Sequence, residues 1–339
     1  LLLFQFKHKE IAMLSQLGRQ QADAPTPDRK AAHGKRAGRA GHFLRQGLLA
    51  ALLCTAGAVP ALAAEFQPPP AVVPASAEHH PGKLIFVQLV TPDLAASKLF
   101  YAGLFGWTFR DLQPGSAKYA EAYLDGRPVA GLIHRELPAG GQRQPAWLSY
   151  FAAADVDAAK KVALQNGAKL LIEPHNVPGR GREAIFADPQ GAVFAVLSSK
   201  SGDQPDVLAA PGDWIWSSLL TSGPDADAAF YQKLFGYEVF ELPSDPGVEH
   251  LLLASDDYAR ASVNSLPGNR PKAHPHWLNY IRVEDAEQMT AKVLALGGRV
   301  LVAAHSDRHG GKISVVADPQ GAPFGLFEWS DTESKEVPQ

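Results

Sequence analysis

The chain repeats itself. Pro81-Gly82 returns as Pro211-Gly212, a shift of 130 residues, and at the same shift Phe100-Tyr101 meets Phe230-Tyr231. Leu104-Phe105-Gly106-Trp107 meets Leu234-Phe235-Gly236-Tyr237, Trp147-Leu148 meets Trp277-Leu278, and Ala187 to Ala192 return unchanged as Ala317 to Ala322. One constant offset from end to end implies no net insertion between the copies. A period of this length indicates paired domains, because solenoid units are shorter and usually more numerous.

Each copy is itself divided into two parts of the same order. Residues 84–91 alternate β-branched and aromatic side chains, as a strand does. Asp93 is placed to cap a helix over 94–104 that stops at Gly106. Runs 107–111, 117–124 and 128–135 read as short strands broken by Pro-Gly and Asp-Gly turns. The order then recurs: a strand at 146–152, a helix at 155–166 and strands near 169–173, 183–187 and 192–198. The expectation is four βαβββ units, with domains over 81–199 and 211–330, a linker at 200–210 and a tail at 331–339.

Charge divides the 339 residues unevenly. Residues 1–47 carry nine basic and three acidic side chains, +6, so that a formal net charge of −3 leaves −9 on the remainder. An uncharged Leu/Ala/Val run from Gly47 ends in Pro60-Ala61-Leu62-Ala63-Ala64. Basic stretch, apolar stretch and small-x-small ending are the parts of a secretory signal, so 1–64 is read as an export segment cleaved near Ala63 or Ala64. A retained membrane anchor is the alternative, with Gly57 and Pro60 interrupting the run. Position 1 is Leu and Met13 is a candidate start. The single cysteine, Cys54, lies inside the apolar run. These features predict a periplasmic or secreted protein. Residues 65–80, rich in Pro and Ala, read as an extended tether. The negative mature charge argues against nucleic-acid partners and, after signal cleavage, against a membrane surface.

Phe-Tyr-x-x-Leu-Phe-Gly-aromatic after the first helix, with Asp-Pro-Gln-Gly before the last strand, resembles the vicinal oxygen chelate (VOC) superfamily. That superfamily includes glyoxalase I, bleomycin-resistance proteins and extradiol dioxygenases. The resemblance covers residues 81–330. It implies an α+β fold of tandem VOC domains, each with two βαβββ modules in a curved mixed sheet, packed against each other as an internal pseudo-dimer.

The resemblance also implies where a divalent metal would be held: by His, Gln or Glu on the first, fourth, fifth and eighth strands of a cup. At those positions the first copy offers Phe86 or Gln88, Gly131 or His134, Ser149 and Ala195. The second offers Trp216 and Ser218, Asn264 in place of His134, Asn279 and Gly325, with Glu328 on the opposite strand face. Three converging ligands and an open position are needed for a catalytic site, and neither copy supplies them. The expectation is therefore no cofactor. Two aromatic and polar cups, Phe86, Gln88, His134, Trp147 and Ser149 in one and Trp216, Ser218, Trp277 and Asn279 in the other, are expected to bind a small organic molecule. The protein is read as a binding or sequestering module with no assigned catalytic residue. The alternatives are a metal-dependent lyase, isomerase or dioxygenase centred on Gln88 and His134, and a structural protein with filled cups. Loops at Pro178–Gly181 and His309–Gly311, with Arg180, Arg182 and Lys312, either gate the cups or remain solvated. No Gly-rich phosphate loop, nucleophile elbow or His-Glu-x-x-His run is present.

Overall fold

A computed structural model describes residues 67–112, 119–137, 144–242, 250–266, 273–306 and 311–329. The expected export segment lies outside them. The first copy runs β1 (Leu84–Thr91), α1 (Leu94–Phe105), β2 (Thr108–Asp111), β3 (Tyr119–Leu124), β4 (Arg127–His134), β5 (Ala146–Ala152), α2 (Val156–Gln165), β6 (Lys169–Val177), β7 (Gly181–Ala187) and β8 (Val193–Ser199). The second runs β9 (Trp214–Thr221), α3 (Pro224–Phe235), β10 (Glu238–Glu241), β11 (His250–Ser255), β12 (Tyr258–Ser265), β13 (His276–Val283), α4 (Ala286–Ala295), β14 (Arg299–Ser306), β15 (Lys312–Ala317) and β16 (Pro323–Glu328).

The helices stop and start where local chemistry dictates. The Asp93, Asp155 and Asp285 carboxylates accept N–H groups that the first helical turn leaves unpaired. Gly106 and Gly236 end α1 and α3 in the left-handed conformation. Each copy forms one eight-stranded mixed sheet, in the order β2-β3-β4-β1-β5-β8-β7-β6 and its counterpart β10-β11-β12-β9-β13-β16-β15-β14. These are two curved sheets of tandem VOC type.

Neither copy completes its core alone. Phe100, Tyr101 and Leu104 of α1 pack in one cluster with Ile281, Val283, Phe324 and Leu326 of the second copy. Phe230, Tyr231 and Phe235 of α3 pack reciprocally with Phe151, Phe186 and Phe194 of the first. The repeated sequence phrases are the lock between the copies. Asp188 Oδ1 accepts the backbone N–H groups of Gln190, Gly191 and Ala192, and Oδ2 accepts the Tyr231 hydroxyl at 3.0 Å. Asp318 does the same within its own turn and accepts from Tyr101 at 3.3 Å. Burial raises both carboxyl pKa values, and the backbone and tyrosine donors oppose the rise.

The offset of 130 does not hold throughout. Gln88 pairs with Gly131 across β1 and β4, whereas Ser218 pairs with Ser262 across β9 and β12. Tyr119 faces Ile133 and His250 faces Asn264. The β3–β4 hairpin therefore matches the β11–β12 hairpin at a shift of 131. One residue is added before β11 and one removed before β13, so the net length is unchanged. The counterpart of His134 is Ser265, and the counterpart of Asn264 is Ile133.

Candidate ligand-binding site

Strand alternation sends one set of side chains between the sheets and the other into a cup on the outer face of each sheet. In the second copy, Trp216, Ser218 and Leu220 of β9, His250 and Leu252 of β11, Ser262 and Asn264 of β12, and Tyr280 of β13 line a cavity of about 240 Å³ together with Leu242, Ile313 and Phe327. The walls are aromatic and aliphatic, and the polar groups converge on one hydroxyl. The Trp216 indole N–H donates to Ser262 Oγ at 3.2 Å, the Asn264 amide donates to it at 3.1 Å, and Ser218 Oγ lies 2.8 Å away. A hydroxyl has two acceptor sites and one proton. With both sites taken by N–H donors, the Ser262 proton is directed to Ser218. Ser218 then holds the hydroxyl proton that can be offered to a ligand, and Asn264 offers its carbonyl oxygen.

The cup of the first copy has the same strand order and a different filling. Glu121 and Arg180 are 0% and 2% exposed, and Arg180 Nη2 donates to Glu121 Oε1 at 2.8 Å. The Tyr119 hydroxyl donates to Glu121 Oε2 at 2.9 Å, and the guanidinium carbon lies 3.8 Å from the Phe86 ring centre. Burial pushes the Glu121 carboxyl up, and Arg180 and Tyr119 hold it back. Where an extended tether is expected, the chain is packed: Ala71 and Val72 are buried against Phe86, Tyr150, Ala195 and Leu197. Pro-rich segments are stiff enough to be laid down in this way at low entropic cost.

The candidate residues separate accordingly. Phe86 and Gln88 lie on the cup face of β1, Phe86 under Arg180. Trp216 and Ser218 line the open cup. Trp147 and Trp277 do not line a cup. Each is buried between the sheets and donates to Tyr101 or Tyr231, at 3.1 and 2.9 Å. Ser149 and Asn279 also turn inward and bond to each other, with Ser149 Oγ donating to Asn279 Oδ1 at 3.0 Å. His134 ends β4 on the strand face of Leu132, which packs between the sheets, so it is directed away from Gln88. The displaced positions belong to their neighbours: Tyr150 and Tyr280 face the cups where Ser149 and Asn279 are expected.

Arg180 of the first expected gating loop is part of the cup floor. Arg182 and Lys312 pair on the surface with Asp157 and Glu287. His309 lies outside the described residues. Sequence reasoning missed His250, Leu252, Ser262, Tyr280 and Phe327 as cavity residues; the hairpin shift of 131 was the signal that would have found Ser262.

A divalent metal does not fit either cup. The strand positions at which the resemblance implies a metal carry Phe86 or Gln88, Gly131, Tyr150 and Ala195 in one copy, and Trp216 or Ser218, Ser262, Tyr280 and Gly325 in the other, so that Gln88 is the one His, Gln or Glu among them. The Tyr280 ring occupies the space a side chain at 325 would need, and Tyr119 with Phe86 does so at Gly131. Glu328 points away and caps α4 through the Ala286 N–H at 3.0 Å. Among the described residues no three His, Cys, Asp or Glu side chains gather as a metal site.

Residues 83–196 match the Glyoxalase/Bleomycin resistance protein/Dioxygenase superfamily, and residues 217–327 match a glyoxalase-like domain. The chain is 30% identical over 258 residues to "Putative glyoxylase CFP32" of Mycobacterium tuberculosis (strain CDC 1551 / Oshkosh), covering 76% of this chain and 98% of that one. It is 33% identical over 263 residues to the anthracycline biosynthesis protein DnrV of Streptomyces peucetius, covering 73% and 94%. The Mn(II)-bound glyoxalase from Novosphingobium aromaticivorans shares the fold at a TM-score of 0.54 and 19% identity, over 76% of this chain and 87% of that one. The repeat, the paired mixed sheets and these matches together place the chain in the glyoxalase/bleomycin resistance protein/dioxygenase superfamily, as a protein with two such domains in tandem.

Proposed function

We propose that this tandem glyoxalase-like protein binds or sequesters a small, partly apolar organic molecule in the cup of its second domain, without a resident metal. The observation that carries the reading is the cavity of about 240 Å³ with three aromatic walls and the Ser218–Ser262–Asn264 chain at its floor. Its size lies just under the roughly 300–1,000 Å³ of drug-sized pockets, which suits a ligand of one or two rings. Ser218 as donor and Asn264 as acceptor suit a ring bearing a carbonyl or phenolic oxygen. Similarity to a protein named for anthracycline biosynthesis supports an oxygen-bearing aromatic ligand. Calorimetric titration with a panel of one- and two-ring aromatic ketones and hydroxyquinones tests this. One molecule is expected per chain, with at least about tenfold weaker binding for Ser262→Ala and none for Trp216→Ala. A panel without a binder, or binding that survives Trp216→Ala, overturns it.

Export of the mature domains belongs to the same proposal and rests on the basic, apolar and small-residue order of residues 1–64. N-terminal sequencing of the exported form is expected to begin at Ala64 or Glu65. A protein retained in the cell with its leading segment intact excludes export.

A further inference from the structure

The closed cup is closed by a segment of the chain itself, and its walls are shaped to that segment. Arg180 Nη2 donates to the Pro69 carbonyl at 3.1 Å while holding Glu121. The Val72 N–H donates to Ser201 Oγ at 3.0 Å, and the Ser76 N–H to the Ser201 carbonyl at 2.8 Å. Gly179, with φ of +80°, lets the Pro68 carbonyl come so near that a Cβ there would lie 2.6 Å from its oxygen. Gly202, with φ of +74°, leaves the same room for the Ser76 carbonyl. A left-handed glycine at each point of backbone approach, side-chain and backbone partners for carbonyl and N–H groups, and an apolar seat for Ala71 and Val72 are the parts of a peptide-binding site.

Among the described residues, the open cup lacks these parts. Glu121 is matched by Leu252 and Tyr119 by His250. Position 310, which lies 130 residues after Arg180, is a glycine. The residues leading into β9 pack Leu208 and Ala209 beside Ile215 and Phe327, and none of 200–213 lines the cavity.

We infer that the first cup is a binding site for an extended, proline-rich peptide segment, filled in cis by residues 67–76 and able to take the same sequence in trans when that segment is released. A tethered segment has an effective concentration in the millimolar range, so the covalently attached copy excludes a free one. The inference does not depend on the ligand of the second cup.

The test uses a fluorescent peptide spanning Gln67–Ser76 and the intact protein. Val72→Asp places a charge in the apolar seat and is expected to release the segment. The variant should then bind the peptide saturably, as seen by fluorescence anisotropy, while the unaltered protein shows at least tenfold weaker binding. A Val72→Asp protein with native far-UV circular dichroism and no peptide binding overturns the inference. A second version covers failure of that variant to fold. A protease site replaces Ala77-Glu78, the chain is cut, and native mass spectrometry follows the fragment. Exchange of the bound fragment for labelled peptide supports the site; irreversible loss, or a fragment that never exchanges, overturns it.

Discussion

The two cups are built on equivalent eight-stranded sheets, and a segment of the chain covers one while the other lines a cavity. At the floor of the first, a guanidinium and a phenol both donate to one carboxylate, and a proline-rich segment covers them. At the floor of the second, leucine replaces the carboxylate, and two serines with an asparagine face a cavity. The difference shows that one strand order supports both a cavity and a packed, chain-covered floor, according to the side chains on its cup face. It also shows what closing a cup demands. Removing one member of a buried ion pair leaves an uncompensated charge, so the closed cup is the more brittle of the two.

The largest expected effect breaks the closed cup. Glu121→Leu, which installs the residue of the open cup, leaves the Arg180 guanidinium buried without its carboxylate. Unfolding by urea is expected to show a loss of about 3–5 kcal/mol, the usual cost of removing one member of a buried pair. Glu121→Leu with Arg180→Met removes both charges and is expected to recover most of that stability. If the double variant is as weak as the single one, the pair has a role beyond neutralising itself.

A smaller effect sharpens the comparison between the halves. Asp227 of α3 is fully buried, and its pKa is raised from 3.8 to about 7, chiefly by burial, with a hydrogen bond from Thr221 opposing the rise and the Asp188 charge adding to it. Its counterpart in α1 is Ser97, whose hydroxyl meets Thr91 Oγ1 at 2.9 Å. Because the folded state holds the Asp227 proton more tightly, the contribution to stability is full below pH 3.8 and is lost as pH rises through about 7. Asp227→Ser is expected to flatten the decline in melting temperature between pH 5 and 8, with little change at the acid end. An unchanged pH profile would mean that another group sets it.

Most of the fold was legible because both signals it rests on are local. Period-two strands, the Asp93 cap and the Gly106 stop are set by nearest neighbours in sequence. The repeat added the long-range part, since an Asp-Pro-Gln-Gly turn and a Phe-Tyr pair written twice become reciprocal contacts. The cup was less legible for a physical reason. Both faces of these sheets are buried, so alternation shows that Trp147 and Tyr150 point in opposite directions without showing which one faces the cup. A one-residue shift in the hairpin then put Asn264 against the wrong partner. The packing of residues 67–76 was hidden because proline-rich composition describes the stiffness of a segment and not its destination.

The hydrogen bonds between Ser149 and Asn279 have one more consequence. These two residues are equivalents in the repeat and touch each other, so they lie on the pseudo-twofold axis relating the halves. In a symmetric dimer of separate subunits that position would have to hold two serines or two asparagines. Here a hydroxyl is matched to an amide, and Ser217 donates to the same Asn279 oxygen at 2.7 Å. Such complementarity is available only to two halves that are not identical. The two halves have become specific for each other, and a homodimer of either one would lose the match at its centre.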